Sequence, residues 1–161
     1  MKNRIAVTHL LPSTPGLSGA AVRKFIAGVL YHQGITGWEV SVLFCDDPFI
    51  AGLNSRYRGV EGPTDVLSFA LGETYTGDDG VCWYNAGDIV ISLDTLASHA
   101  AEFAVSRDEE LKRLLVHGVL HLAGHDHGGA VLGEGAEEAS MLKIQETLLQ
   151  LFSDYHIISP G

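Results

Sequence analysis

The chain has 161 residues, 46% of them hydrophobic and 19% charged. That length favours one domain spanning residues 1–161, and the apolar share excludes a disordered or fibrous polypeptide. Twenty acidic against ten basic side chains give a formal charge of −10, which excludes nucleic-acid binding through a broad basic surface.

Residues 5–11 read as an opening strand closed by Pro12 and Pro15. The apolar stretch 5–12 is short, contains His9 and lacks a small-residue cleavage pattern, so no signal peptide is expected, and no run approaches the roughly 18 apolar residues of a membrane span. A cytoplasmic protein with no membrane partner is expected. Ser18 can cap a helix that runs to about residue 33 and stops at Gly34. Val22, Phe25, Ile26, Val29 and Leu30 give it an apolar stripe at helical spacing. Residues 38–45 alternate around Val40, Val42 and Phe44, as a half-buried strand does. Asp46 or Asp47 then caps a short helix to about Tyr57.

The middle of the chain is β-like. Residues 65–71 read as a strand, 72–80 as a polar loop, and 81–85 and 87–92 as two more strands. Residues 93–103 read as a helix. Ser106-Arg107-Asp108-Glu109 fits a capping box that opens a central helix to about residue 123. A Gly-rich loop covers 124–135, and an apolar helix covers about 136–152. Without strict βαβ alternation, these elements predict an α+β fold, with a small mixed or antiparallel sheet packed with helices. Cys45 and Cys82 form no CxxC pair, so buried free thiols are expected rather than a disulfide or a cysteine zinc site.

Four of the eight histidines fall within eleven residues: His117, His121, His125 and His127. His117 and His121 are four apart at the end of the central helix, so both rings project from one face. Gly124 can take a positive φ and turn the chain back, bringing a third imidazole to the same point. Three imidazoles with an open fourth position are the arrangement of a catalytic zinc. Water on such a metal has its pKa lowered to about 7. His125 and His127 compete for the third place. The offsets 0, +4, +7 and +10 for His117, His121, Gly124 and His127 match the metzincin pattern HExxHxxGxxH, which favours His127. Gly118 stands where a peptidase of that class has its general base. Asp126 reads equally well as an orienter of an imidazole and as a turn residue.

His117-Gly-Val-Leu-His121-Leu-Ala-Gly-His-Asp-His127 resembles the signature of the YbeY family of metal-dependent endoribonucleases. Asn54-Ser-Arg-Tyr57-Arg58-Gly, then Pro63-Thr64-Asp65-Val66-Leu67-Ser68-Phe69, is similar to a second family stretch. Gly87-Asp88-Ile89-Val90-Ile91-Ser92 is similar to a third. The resemblance implies one α+β domain, with about four strands, about five helices and a zinc cleft at the end of the central helix. It implies one Zn2+ held by His117, His121 and His127 plus water, and a functional role for Arg58. It implies single-strand-specific endoribonuclease activity in maturing the 3′ end of 16S rRNA and in late-stage ribosome quality control. Ribosomal RNA, the small ribosomal subunit and ribosome-associated proteins are the implied partners. The chain departs from the family where Met141 is followed four residues later by Gln145 instead of Glu.

Hydrolysis of an RNA phosphodiester needs a nucleophile and positive charge at the phosphoryl oxygens. Zinc can supply both, and the fork of Arg58 can clamp a phosphate bidentately. An ordinary ion pair of Arg58 with Glu61 or Asp65 is the competing structural role. Lys112 and Arg113 are expected to pair with Asp108 and Glu109 on the helix surface. Phe69 is expected in the core, whereas Tyr57, Trp83 and Tyr84 suit either packing or base stacking. Direct attack by metal-activated water, a 2′-hydroxyl or His125 as base all stay open. Two alternatives to the nuclease are a metzincin-like zinc peptidase and a ribosome-associated zinc-binding factor without strong nuclease activity. Residues 1–72 hold six basic and five acidic side chains, and residues 73–161 hold four and fifteen. Any RNA contact must therefore be a small cleft near Arg58 and the metal, with much of the specificity supplied by protein partners.

Overall fold

The computed structural model describes residues 2–11, 14–125 and 134–159. Four strands form one sheet: β1 (Arg4–His9), β2 (Trp38–Cys45), β3 (Val66–Thr76) and β4 (Cys82–Ser92). Their order is β1-β2-β4-β3. The first three in that order are parallel, and β3 is an antiparallel edge. Among the described residues, five helices pack around the sheet: α1 (Gly19–His32), α2 (Asp47–Arg58), α3 (Leu93–Phe103), α4 (Arg107–Leu120) and α5 (Glu134–Leu151). This is the expected α+β architecture.

The period-2 alternation of the strands decides which helix covers which face. Val40, Val42, Phe44, Ile89 and Ile91 point into the larger core with the apolar stripes of α1, α4 and α5. Their neighbours Leu43 and Val90 point to the opposite face, where Ile50 and Leu53 of α2 meet Leu67 and Phe69 of β3. α4 is thus clamped between the sheet and α5, and its end is held in one place.

Caps set the helix starts. The side chains of Ser18, Asp46, Ser92 and Ser106 accept from Ala21, Phe49, Thr95 and Glu109 backbone N–H groups. Only the Ser106 half of the expected capping box forms among the described residues. Asp47 instead accepts from the hydroxyls of Ser92 and Thr95, at 2.6 and 2.5 Å, which docks α2 onto the start of α3.

The sheet is longer than its sequence suggests. Residues 72–76 continue β3 instead of forming a loop, and β4 runs unbroken through Ala86 and Gly87. Thr74, Tyr75 and Thr76 are good strand formers and pair with Tyr84, Trp83 and Cys82. A register shift between Ala70 and Glu73 absorbs Gly72, so the glycine marks a bulge and not an end. The turn proper is only Gly77 to Gly80, closed by Gly77 and Gly80 N–H bonds of 2.9 Å.

Two smaller expectations are corrected. Cys45 is buried but Cys82 is exposed. Lys112 is no surface residue: it is 3% exposed, and its ammonium lies 3.2 Å from Asp108. It also donates to the carbonyls of Phe152 and Tyr155, at 3.1 and 2.9 Å. Lys112 therefore ties α4 to the segment after α5, and burial among three acceptors satisfies its charge. Among the described residues, no helix is long and apolar enough to cross a membrane.

Candidate metal centre

α4 ends one residue before His121, and a turn over His121–His125 carries the chain away. Gly124 sits at φ 86°, ψ 12°, the left-handed region a glycine adopts without a Cβ penalty. The helix and the turn bring His117 and His121 together. Their Nε2 atoms are 2.7 Å apart and their ring centroids 4.2 Å. At that separation one imidazole donates and the other accepts. Two imidazoles on one tetrahedral zinc, at about 2.0–2.1 Å each, have nitrogens roughly 3.3 Å apart. A ring movement of about half an ångström converts one arrangement into the other, so this pair fits a metal. His127 and Asp126 lie outside the described residues, as does the side chain of His125.

Gly118 explains its own identity. A β-carbon there would stand 2.9 Å from Ile89 Cγ2 and 3.0 Å from its Cδ1. The position faces the sheet at a close approach of α4, which leaves no room for a side chain there.

Arg58 closes α2. Its Nη2 donates to the Ser68 carbonyl at 2.6 Å, and its guanidinium lies 5.4 Å from the Phe69 ring centroid. It pairs with neither Glu61 nor Asp65. β3 packs beside both α4 and the His121–His125 turn, so the strand that fixes Arg58 also borders the imidazole pair. Tyr57 meets Phe69 edge-on at 5.6 Å and is exposed, whereas Phe69 is half-buried in the smaller core. Trp83 is buried under Arg4, whose guanidinium lies 4.0 Å from its ring, which favours packing over base stacking there.

His117 lines a cavity of about 540 Å³ together with Asp65, Glu110, Arg113 and Gln145. Sequence reasoning gave none of these carboxylates a place beside the imidazoles. Glu110 had a readable signal, since it precedes His117 by seven residues, two turns on the same face. Burial pushes the Glu110 carboxyl above its ordinary value, and Arg113 opposes that. Arg113 lies 3.9 Å from Glu110 and makes its shorter contact, 3.0 Å, with Glu146 of α5.

The family described as Endoribonuclease YbeY matches residues 18–153. An Endoribonuclease YbeY of Treponema denticola is 45% identical over 157 residues, 98% of each chain. One of Pelotomaculum thermopropionicum is 45% identical over 91% of this chain and 88% of its own. The solution structure of TM1509 from Thermotoga maritima superposes with a TM-score of 0.59 at 25% identity, covering 93% of this chain and 92% of that one. A matched profile over most of its length and relatives well above 30% identity place this chain in the YbeY family of endoribonucleases, hydrolases of RNA phosphodiester bonds.

Proposed function

We propose that this protein is a zinc-dependent, single-strand-specific endoribonuclease that matures the 3′ end of 16S rRNA and acts in late-stage ribosome quality control. It works in the cytoplasm on the small ribosomal subunit, with ribosome-associated proteins guiding it to the RNA. The observation that carries the reading is the His117–His121 pair, with nitrogens 2.7 Å apart at a helix end that Gly124 turns back. His117, His121 and His127 would hold the metal. When bound, zinc supplies a Lewis acid and lowers the pKa of water to about 7.

The chain's own residues then bind and orient the phosphodiester. Arg58 offers a permanently charged fork, held by Ser68 and Phe69, whose remaining N–H groups can clamp a phosphate. The aromatic face of exposed Tyr57 beside it suits an unstacked base, as single-stranded RNA offers. With a net charge of −10, attraction to free RNA is confined to this small region. The position of Gly118 against Ile89 speaks against a peptidase.

The test is a His121→Ala variant, assayed for bound metal and for rRNA 3′ ends in cells that carry no other copy. Loss of zinc together with unprocessed 3′ ends is the expected result. Mature ends from a folded, zinc-free variant would leave only a binding role.

A further inference from the structure

We propose that Asp65, His99 and Glu110 form a second divalent-cation site that opens on the same cavity as His117. One ligand atom from each of the three side chains lies within 4.8 Å of the others. His99 Nδ1 and Asp65 Oδ2 are 3.3 Å apart. Donors about 2.1 Å from one small cation stand roughly 3 to 4 Å from each other, so modest side-chain movement closes the set on an ion. Three separate elements supply it: the lead into β3, then α3 and α4. Residues from distant parts of the chain are thereby held together on rigid supports.

Two observations point to a ligand rather than a chance cluster. The first is the charge. Glu110 is 4% exposed, and the nearest guanidinium, Arg113, is 3.9 Å away and committed more closely to Glu146. Asp65 and His99 are partly exposed, so a cation could enter from their side, and the buried Glu110 carboxylate facing Asp65 would gain from a divalent charge between them. The second is Gln145. It is 4% exposed and lines the cavity with Asp65 and Glu110, yet its Oε1 has no hydrogen-bond partner among the described residues. A buried amide oxygen without a partner is costly. A cation, or water on it, gives that oxygen a role. Neutral Gln at this position is an oxygen donor that adds no further negative charge.

The donor set selects the ion. Carboxylate and amide oxygens suit manganese and magnesium, and the imidazole tilts the choice toward manganese. The proposed three-histidine set, of which His117 lines the same cavity, would prefer zinc. Each site therefore has its own metal, which makes them separable by experiment.

The full-length protein, stripped with chelator and reloaded with one equivalent of zinc, is titrated with Mn2+ while free Mn2+ is read by electron paramagnetic resonance. One Mn2+ per chain is expected to bind. Asp65→Asn and Glu110→Gln should each weaken it at least tenfold and leave the zinc stoichiometry at one. His99→Gln, a change in a partly exposed side chain that leaves the fold intact, should weaken Mn2+ binding as well. His121→Ala should lose zinc and keep manganese. Absence of Mn2+ binding below millimolar concentrations overturns the proposal. So does equal binding by His99→Gln and wild type. Failure of zinc loading in the wild type is a separate result that strikes the three-histidine reading, because Mn2+ can be titrated into the stripped protein alone.

Discussion

Gly118 on α4 and Ile89 on β4 meet so closely that any side chain at 118 collides with the sheet: its β-carbon would lie 2.9 Å from Ile89 Cγ2. Ile89 is fully buried, so it has little room to retreat. The contact sets the height of α4 over the sheet and, through it, the place of His117. Gly118→Ala should destabilise the fold by about 1–3 kcal/mol by overpacking, although alanine is the better helix former by roughly 1 kcal/mol. Urea denaturation measures this. Stability equal to or above wild type would mean that α4 shifts freely. Gly118→Glu, which writes HExxH into the chain, should fail to fold stably and should cleave no casein.

Asp108 is the anchor of the C-terminal segment, and its effect on stability depends on pH. Its Oδ1 accepts from the N–H groups of Ile157 and Ile158 at 2.6 and 2.9 Å. Burial by itself pushes its pKa up, but the Ile158 and Ile157 N–H groups and the Lys112 ammonium outweigh that and hold it below the ordinary value. The sign follows from linkage. A depressed carboxylate stabilises the fold at pH values above its unfolded pKa of about 3.9, and that stability is lost as pH falls through the lower folded value. Asp108→Asn should cost about 3 kcal/mol at pH 7, since it leaves Lys112 buried without its carboxylate. The gap to wild type should narrow in acid. Melting curves at pH 7 and in the acid range decide it, and a pH-independent gap would refute the electrostatic account.

Local signals carried most of the fold, because caps and apolar spacing are written in adjacent residues. Ser18 and Ser106, both expected as caps, each take up the N–H three residues on. The strand 72–76 was missed because Gly72 and the acidic residues nearby look like a loop until Thr74–Tyr84 and Tyr75–Trp83 pairing is known. Lys112 looked like a surface charge because its acceptors, Phe152 and Tyr155, lie some forty residues away. The histidine pair was legible for the opposite reason: i and i+4 spacing is entirely local. Asp65, His99 and Glu110 meet only through tertiary folding, so no spacing rule could unite them.

Arg58 offers a test that separates charge from shape. Its side chain is exposed and leans on Ser68 and Phe69, so its replacement should leave stability within about 0.5 kcal/mol. Arg58→Glu should reduce RNA cleavage about a hundredfold, the usual scale for losing a preorganised donor at a phosphoryl group, with bound metal unchanged. Arg58→Lys keeps the charge and loses the fork, and should fall between the two. Single-turnover cleavage of a single-stranded RNA reads all three. If lysine matches arginine, the guanidinium acts as a point charge and the clamp assignment fails.

Gly124 turns the chain back beside the candidate metal centre, and its role there is set by its backbone. Its φ is 86°, and no described residue lies within 4 Å of the place a β-carbon would occupy. A substitution there meets no steric neighbour among the described residues, and the left-handed conformation costs about 1–2 kcal/mol for an ordinary side chain. Gly124→Ala should therefore melt only a few degrees lower. Its zinc affinity should drop further than its stability, because the turn that follows His121 relaxes toward a helical continuation and carries the downstream chain with it. Asn tolerates the left-handed region better than other residues, so Gly124→Asn should recover most of the zinc affinity. Competition with a chromogenic zinc chelator gives the ranking Gly above Asn above Ala. If alanine binds zinc as tightly as glycine, the reversal at 124 does not set the site.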